Sequence, residues 1–427
     1  MAQLSYISTS SKRSVPQSNG IPTDESIGAM LFDIGSFQYP FEGYPLIASY
    51  FSDNTVQRID SMDDALVMGI EDNGFLNGLL YYHLSQFYDL IGGTQTVYVA
   101  LADCSKGWDI LQDMQSKTNG KLFHIGIWTS QPIWKAESPG HIGFTSLIKD
   151  IQSQADEICG IIGEKSSSFT PLSMILFGNS SYIEGAEISY KDIPDAKALK
   201  CPKVSVVLAQ NGSEKVHSIQ SANPLNAPVS AMGEVMAFMS LCGVEESIAS
   251  LKKCDLNVNE GFLNPELGVG VDNAPLSGIR KGWLGILASY GYITPIEYEG
   301  VEASYYLSSD QTLDEGDYGT ISNNRIIHKC RRGILTALLP HINGNYIYSP
   351  VTGEISTKFA NMITESIYTL LDTLMKNKSG YDQIDGREVT VSGDSAMLNE
   401  DSVSVKFGIK PVNYDRIITE EVSGNPT

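Results

Sequence analysis

The stretch Leu122-Phe123-His124-Ile125-Gly126-Ile127-Trp128 is an almost unbroken apolar run, which is typical of a strand buried on both faces of a sheet. Comparable runs occur at residues 28–33, 96–101, 173–177 and 204–208. Segments with helical spacing of apolar residues lie between them, at 74–90, 108–114 and 144–162. This alternation of buried strands and helices predicts an α/β layer whose sheet is covered on both faces.

The pattern changes near residue 324. Apolar residues with helical spacing run from Ile327 to Leu338, and a second, longer amphipathic helix is predicted from about Ile355 to Leu374. A short strand at 387–391 follows, and residues 403–409 then alternate strictly between apolar and polar up to Pro411. We therefore predict a mixed α/β and α+β chain with a separate C-terminal α+β domain.

Both ends of the sequence are polar, but each contains a short apolar patch. The patch near the start comprises Leu4, Tyr6 and Ile7, and the patch near the end comprises Ile417, Ile418 and Val422. Polar segments of this kind do not bury enough apolar surface to fold alone. The predicted organisation is an N-terminal arm (1–26), an α/β core of one or two subdomains (27–323), a C-terminal domain (324–411) and a C-terminal arm (412–427).

The charge is strongly acidic and unevenly distributed. The 427 residues include 29 basic and 50 acidic side chains, for a net charge of −21. Residues 325–427 hold 11 of the basic and 12 of the acidic side chains, so this part is almost neutral. Nucleic acids and anionic membranes require a basic footprint, so neither is expected as a partner. The near-neutral C-terminal part is the better candidate for packing against other acidic surfaces.

The cysteine pattern and the hydropathy favour a protein made and kept in a cytoplasm. The six cysteines are widely spaced, without a C-x-x-C pair, which favours buried thiols over disulfides or a zinc site. No signal peptide follows Lys12 and Arg13, and no apolar run approaches the length of a membrane span. The methionines of the segment 227–242 are interpreted as core residues.

No motif for catalysis or cofactor binding stands out, so no cofactor, metal ion or catalytic residue is predicted. The histidines have no metal-ligand spacing, and His83 and His124 lie in apolar segments that favour a core position. The acidic group that begins at Asp310 lies among polar residues, which favours an exposed loop. Asp255, Asn257, Asn259 and Glu266 match part of a calcium loop, but the required glycine is replaced by Glu260.

Four stretches together resemble the sheath proteins of contractile phage tails and related injection machines. Residues 27–99 combine a strand, a helix rich in aromatic residues, a glycine pair and an aromatic strand. Residues 226–233 resemble the segment that leads into a sheath-protein helix, and residues 325–332 resemble a helix start with paired arginines. The most similar stretch is 351–412, with its long helix, alternating strand and final Pro-Val, followed by Arg416 and Ile417.

This resemblance implies a structural subunit and not an enzyme. It implies hexameric rings stacked around an inner tube, with terminal arms that add strands to sheets of neighbouring subunits. The expected partners are other copies of the chain, a tail tube protein, and baseplate and terminator proteins. Leu4, Tyr6, Ile7, Ile417, Ile418 and Val422 are the expected arm residues. The expected location is the bacterial cytoplasm during assembly, then a virion tail or injection particle.

One further hypothesis concerns the inner-tube partner, and three alternative functions stay open. The low charge of the C-terminal domain predicts that it faces the inner tube, with Lys358, Lys376 and Lys378 as candidate contacts. The alternatives are the sheath of a bacterial injection system instead of a virion, and a motif-poor α/β enzyme that binds a ligand at the strand ends. A calcium-stabilised module at residues 255–266 is a third.

Overall fold

The structure of the protein is a computed structural model. It describes residues 24–35, 45–51, 55–138, 141–159, 173–177, 182–183, 186–187, 189–259, 261–270, 272–298, 304–341, 355–376, 380, 382–392, 404–412 and 418–423. The described residues form two compact units. The α/β unit contains those of 25–155 and 172–324, and the C-terminal unit contains Asp24, residues 156–159 and those of 325–427.

The helices and strands are numbered in chain order. The helices are α1 Pro45–Tyr50, α2 Met62–Val67, α3 Leu76–Ile91, α4 Ile110–Lys117, α5 Leu147–Ile158, α6 Glu214–Ala222, α7 Met232–Leu241, α8 Lys281–Ser289, α9 Ile321–Leu338 and α10 Thr357–Leu374. The strands are β1 Gly28–Asp33, β2 Val56–Ile59, β3 Val97–Ala102, β4 His124–Thr129, β5 Trp134–Ser138, β6 His141–Phe144, β7 Ser173–Phe177, β8 Tyr182–Ile183, β9 Ala186–Glu187, β10 Val204–Val207, β11 Tyr292–Ile293, β12 Pro295–Ile296, β13 Tyr306–Leu307, β14 Ile384–Ser392, β15 Ser404–Pro411 and β16 Ile418–Ser423.

A seven-stranded sheet organises the α/β unit, in the order β11-β10-β7-β4-β1-β3-β2. All neighbours are parallel except β2, which pairs antiparallel with β3 at one edge. Leu31 in β1 lies opposite Ala100 of β3 on one side and Ile127 of β4 on the other. Every residue of β1 and β4 is buried, so both faces of these central strands are covered, as the apolar runs predict.

Helix α7 packs on β1 and β4, and α3 packs on α7. Two glycines allow these close approaches. A Cβ atom at Gly126 of β4 would lie 2.8 Å from Sδ of Met236. A Cβ at Gly233 of α7 would lie 2.2 Å from the carbonyl oxygen of His83 in α3, so this helix crossing requires a residue without a side chain.

The methionines of α7 lie in the core of the α/β unit, as predicted from the sequence. Met232, Met236 and Met239 are fully buried in the main hydrophobic cluster, which confirms their interpretation as core residues. The Met-rich helix starts five residues later than the predicted 227, at Met232. The reason is local: Pro228 uses its carbonyl to accept from the indole of Trp128, and Ser230 has a left-handed φ of 68°.

One acidic residue differs from the sequence-based expectation. Asp310 was expected on an exposed loop, but it is buried and organises the first turn of α9. Its carboxylate accepts from the Ser322 hydroxyl at 2.7 Å, and its carbonyl accepts from the Ile321 amide at 2.6 Å. The aspartate therefore satisfies amide and hydroxyl donors at a helix start, a position where a negative charge is favourable.

Candidate assembly interface

A three-stranded antiparallel sheet, β14-β15-β16, forms the centre of the C-terminal unit. In β15, Val405, Phe407 and Ile409 are buried, whereas Lys406 between them is exposed. The buried apolar positions are those that the sequence predicts, although Gly408 between Phe407 and Ile409 is buried as well. Among the strands that the structure describes, β15 is paired on both sides, while β14 and β16 are each paired on one side only. Such edges carry backbone donors and acceptors that can take up a further strand.

Helix α10 covers β14 with a narrow apolar stripe. Ile363, Ile367 and Leu371 are buried at the i, i+4, i+8 spacing predicted from the sequence. The helix begins after Ser356, whose hydroxyl accepts from the Phe359 amide at 3.3 Å. On the opposite side of this stripe Met362 is 47% exposed. The helix therefore fixes the sheet while it leaves a partly apolar outer face.

Polar contacts tie α10 to β14. The guanidinium of Arg387 pairs with the carboxylate of Asp372 and lies 4.9 Å from the ring centroid of Tyr368. The Tyr368 hydroxyl accepts from the Val389 amide at 3.3 Å. The carboxylate of Asp372 is exposed, and its pKa is lowered by the hydrogen bond from Arg387. These contacts hold α10 and β14 in one register.

The structure describes part of the predicted C-terminal arm and only residues 24–26 of the predicted N-terminal arm. Leu4, Tyr6, Ile7 and Ile417 lie outside the described residues. Ile418 and Val422 lie in β16, where they are register partners of Ile409 and Val405 of β15. The apolar positions of this arm thus fall opposite the buried positions of the central strand. In this structure β16 pairs with β15 of the same chain; its exchange between subunits stays a prediction.

Two of the three predicted tube-facing lysines, Lys358 and Lys376, lie near opposite ends of α10. Lys358 is exposed in the first turn, and Lys376 is exposed just past the end of the helix. The 18 residues of this helix span about 27 Å, so these two cations are too far apart to form a single basic patch. Lys378 lies outside the described residues. The role of these lysines stays a prediction.

The segment 325–332 lies within α9 and is unusually basic for a buried helix. Arg325 and Arg332 are fully buried, and Lys329 and Arg331 are nearly so. Lys329 donates to the Gln383 side chain at 2.8 Å, and Arg331 donates to the Cys159 carbonyl at 3.3 Å. Burial lowers the pKa of Arg332 to about 9. The paired arginines of this segment therefore serve packing within the C-terminal unit.

The carboxyl ends of the parallel strands are where the α/β-enzyme alternative would place a ligand. Asp33 is the last residue of β1, and β1 lies between β3 and β4 in the sheet. Its carboxylate accepts from the Cys104 amide (2.9 Å), the Thr129 hydroxyl (2.6 Å) and the Gln131 side-chain amide (2.7 Å). Asp33 is fully buried, so this carboxylate fastens the ends of neighbouring strands together.

In the candidate calcium loop the Asp255 carboxylate is occupied by hydrogen bonds from backbone amides. The Asp255 carboxylate accepts from the amides of Asn257 and Tyr305, at 2.9 and 3.1 Å. Glu266 lies elsewhere, with its carboxylate 3.0 Å from Nε2 of His217. Within the described residues no group of three or more His, Cys, Asp or Glu side chains could hold a metal ion. The arrangement is that of a loop fixed by hydrogen bonds.

Sequence reasoning missed a buried polar pair between α3 and α7. The hydroxyl of Tyr82 donates to Oε1 of Glu234 at 2.7 Å, and both residues are buried. Burial raises the pKa of Glu234 to about 7. The neighbouring His83 is fully buried, as predicted, and accepts from the Gly233 amide through Nδ1. Burial lowers the pKa of His83 to about 3, so it is neutral. A single glutamate within a methionine-rich helix is the sequence signal for this pair.

The described residues include no helix that is both long and apolar enough to cross a membrane. No protein-family model and no curated protein matches the sequence. Solved structures do match the fold along almost its whole length. One is the sheath complex of the extracellular contractile injection system PVC in its contracted state, with 13% identity, a TM-score of 0.54, and coverage of 95% of this chain and 94% of the other.

Two tail sheath proteins of bacteria match as well. The one from Desulfitobacterium hafniense has 9% identity and a TM-score of 0.54, over 98% of this chain and 99% of its own. The one from Listeria innocua has 9% identity and a TM-score of 0.52, over 95% and 96%. The predicted resemblance is therefore confirmed for the fold, which is that of contractile sheath proteins from end to end.

Proposed function

We propose that this protein is the structural subunit of a contractile sheath. The observation that carries the proposal is the end-to-end match in fold: each of the sheath structures covers at least 95% of this chain and is itself covered to at least 94%. A shared core alone would match only the α/β unit, since such sheets occur in proteins of many functions. The inclusion of the C-terminal unit, with its open sheet edges, supports an assembly role over the α/β-enzyme alternative.

In this proposal the subunits form hexameric rings that stack around an inner tube, and their contraction drives the tube through a target envelope. The arms at residues 1–26 and 412–427 connect neighbouring subunits by strand addition. The support is the three-stranded sheet, in which β14 and β16 each have one unpaired edge among the described strands. Each added backbone hydrogen bond contributes about 0.5–1.5 kcal/mol net, so one junction is weak and many in parallel are strong.

The C-terminal domain is proposed to face the tube, with Lys358, Lys376 and Lys378 in contact with it. Support comes from the charge distribution, because residues 325–427 are nearly neutral in a chain of net charge −21. Tube, baseplate and terminator proteins are the proposed partners. Assembly is proposed in the bacterial cytoplasm, and the finished particle is a virion tail or an injection system of the kind that the matched structures represent.

Negative-stain electron microscopy of the concentrated protein, together with a light-scattering mass, tests the proposal. Rings or hollow cylinders are the expected result. A protein that remains monomeric is then mixed with a candidate tube protein, and cylinders should form on the tube. A compact dimer or tetramer that does not assemble on the tube would overturn the sheath proposal and favour the enzyme alternative.

A further inference from the structure

The end of α7 and the loop that follows it bring two thiols together. Sγ of Cys242 lies 3.3 Å from Sγ of Cys254, and the two residues are 12 positions apart in the chain. Their exposed fractions are 2% and 0%. The cysteine spacing in the sequence does not show this pair, because it contains neither a C-x-x-C motif nor another short redox spacing.

The loop between the two thiols is folded by its own hydrogen bonds. The Glu246 amide donates to the Gly243 carbonyl, and the Ser250 amide donates to the Ser247 carbonyl, each at 3.1 Å. The Cys254 amide then donates to the Ser250 carbonyl at 2.9 Å. The juxtaposition of the sulfurs is therefore the outcome of consecutive turns in a short segment.

An ion pair closes this loop at its two ends. The Glu246 carboxylate accepts from the Gly243 amide at 2.9 Å and from Nζ of Lys253 at 2.6 Å. Gly243 directly follows Cys242, and Lys253 directly precedes Cys254. The two contacts hold the cysteine-bearing ends of the loop together, so a bond between the sulfurs requires them to approach by little more than 1 Å, to about 2.05 Å.

We propose that Cys242 and Cys254 form an intrachain disulfide when the protein meets a low-molecular-weight disulfide as oxidant. One thiolate attacks the oxidant, forms a mixed disulfide and releases one thiol. The second thiolate then attacks the protein sulfur of that mixed disulfide and releases the other thiol. Two protein thiols are oxidised, the oxidant disulfide is reduced to two thiols, and the resulting bond staples the end of α7 across the loop 243–253.

The reaction should be slow to start and quick to finish. Both thiols are buried, and the hydrogen bond with Cys242, together with burial, raises the pKa of the Cys254 thiol. The first attack therefore waits for a local opening of the loop. The second follows at once because the partner sulfur is already adjacent, so the mixed disulfide should not accumulate. The site is independent of the sheath proposal, which concerns assembly.

The test uses the full-length native protein and oxidised glutathione as the probe. After incubation the protein is unfolded in a denaturant that contains iodoacetamide, which blocks the remaining thiols. It is then digested with trypsin. Cleavage occurs after both Lys252 and Lys253. The expected product is a disulfide that joins peptides 216–252 and 254–280, while the intact chain loses the mass of two hydrogen atoms. Cys104, Cys159, Cys201 and Cys330 should be alkylated.

Two single variants provide the matched control. Cys242→Ser and Cys254→Ser should each lose the joined peptides and keep a glutathione adduct on the remaining thiol. If a variant does not fold, the peptide map of the wild-type protein alone still shows whether the disulfide forms. The inference is overturned if native wild-type protein keeps both thiols alkylatable, or accumulates glutathione adducts at either one, after incubations that fully oxidise an unfolded sample.

Discussion

The hydroxyl of Tyr82 lies 2.7 Å from Oε1 of Glu234 and links α3 to α7 inside the core of the α/β unit. The other carboxylate oxygen of Glu234 has no hydrogen-bond partner among the described residues. A charge at such a place is costly because burial removes its hydration. The neutral carboxylic acid avoids that cost, and this is why the pKa of Glu234 rises to about 7.

This pair predicts a pH-dependent stability. The carboxyl of Glu234 titrates near 4.5 when the chain is unfolded and near 7 when it is folded. Between these values the unfolded state releases its proton and the folded state does not. The contribution of Glu234 to the free energy of unfolding should therefore fall by about 3 kcal/mol from pH 4.5 to pH 7, and level off above.

Glu234→Gln should remove this slope and stabilise the protein at pH 8 relative to the wild type, with little change at pH 5. Chemical denaturation across this pH range is the measurement. Glu214→Gln, at an exposed position in the first turn of α6, is the matched control and should keep the wild-type slope. An unchanged slope in the Glu234 variant would assign the pH dependence to other groups.

Gly233→Ala should lower the free energy of unfolding by about 1–3 kcal/mol. The new Cβ would approach the His83 carbonyl to 2.2 Å, and that oxygen belongs to the backbone of α3, which does not move aside as a side chain would. Gly285→Ala in α8 is the control: its Cβ meets nothing within 4 Å, so it should stabilise by about 0.5–1 kcal/mol. Thermal unfolding of both variants gives the comparison, and a neutral Gly233→Ala would contradict the close packing of α3 on α7.

Removal of residues 412–427 should give a folded protein that does not assemble, if the C-terminal arm connects subunits. This truncation deletes β16, whereas a control truncation of 424–427 leaves the strand in place. Circular dichroism measures folding, and electron microscopy measures assembly. Long tubes formed by the 412–427 truncation would show that the arm assignment is wrong.

Charge reversal of Lys358, Lys376 and Lys378 to Glu should weaken tube binding without unfolding the protein. Exposed ion pairs contribute about 0.2–1 kcal/mol each, so the triple variant should lose several-fold to about a hundredfold in affinity. Lys135→Glu, at an exposed position of β5 in the α/β unit, is the control. Co-sedimentation with the tube measures binding; equal binding by the triple variant would place the tube-facing surface elsewhere.

Local patterns in the sequence were sufficient for most of the regular elements. The strands at 28–33 and 173–177 have the predicted limits, since unbroken apolar runs identify strands covered on both faces. The stripe of α10 is equally clear, because its apolar spacing persists over several turns. Short elements with mixed patterns, such as β2 and α6, were not predicted, because few residues define their period.

Contacts between distant residues could not be predicted from local patterns. Tyr82 and Glu234 are 152 positions apart, and neither has a neighbourhood that identifies the other. The start of α7 was misplaced because a left-handed φ at Ser230 is a property of the folded loop. Asp310 was predicted to lie on the surface because its neighbours in the sequence are polar. It is buried because its carboxylate accepts a hydrogen bond from Ser322 in the first turn of α9. Each of these depends on tertiary structure, which a single sequence does not display.

The pairing of β16 with β15 in the same chain has a consequence for how fast assembly can begin. Six residues pair along this edge, so detachment of the strand costs a few kcal/mol. Since each 1.4 kcal/mol is a factor of about ten in population, only a small minority of isolated subunits would have the edge open at any moment. Free subunits would then polymerise only slowly, after a lag that high protein concentration or a template that captures this minority would shorten.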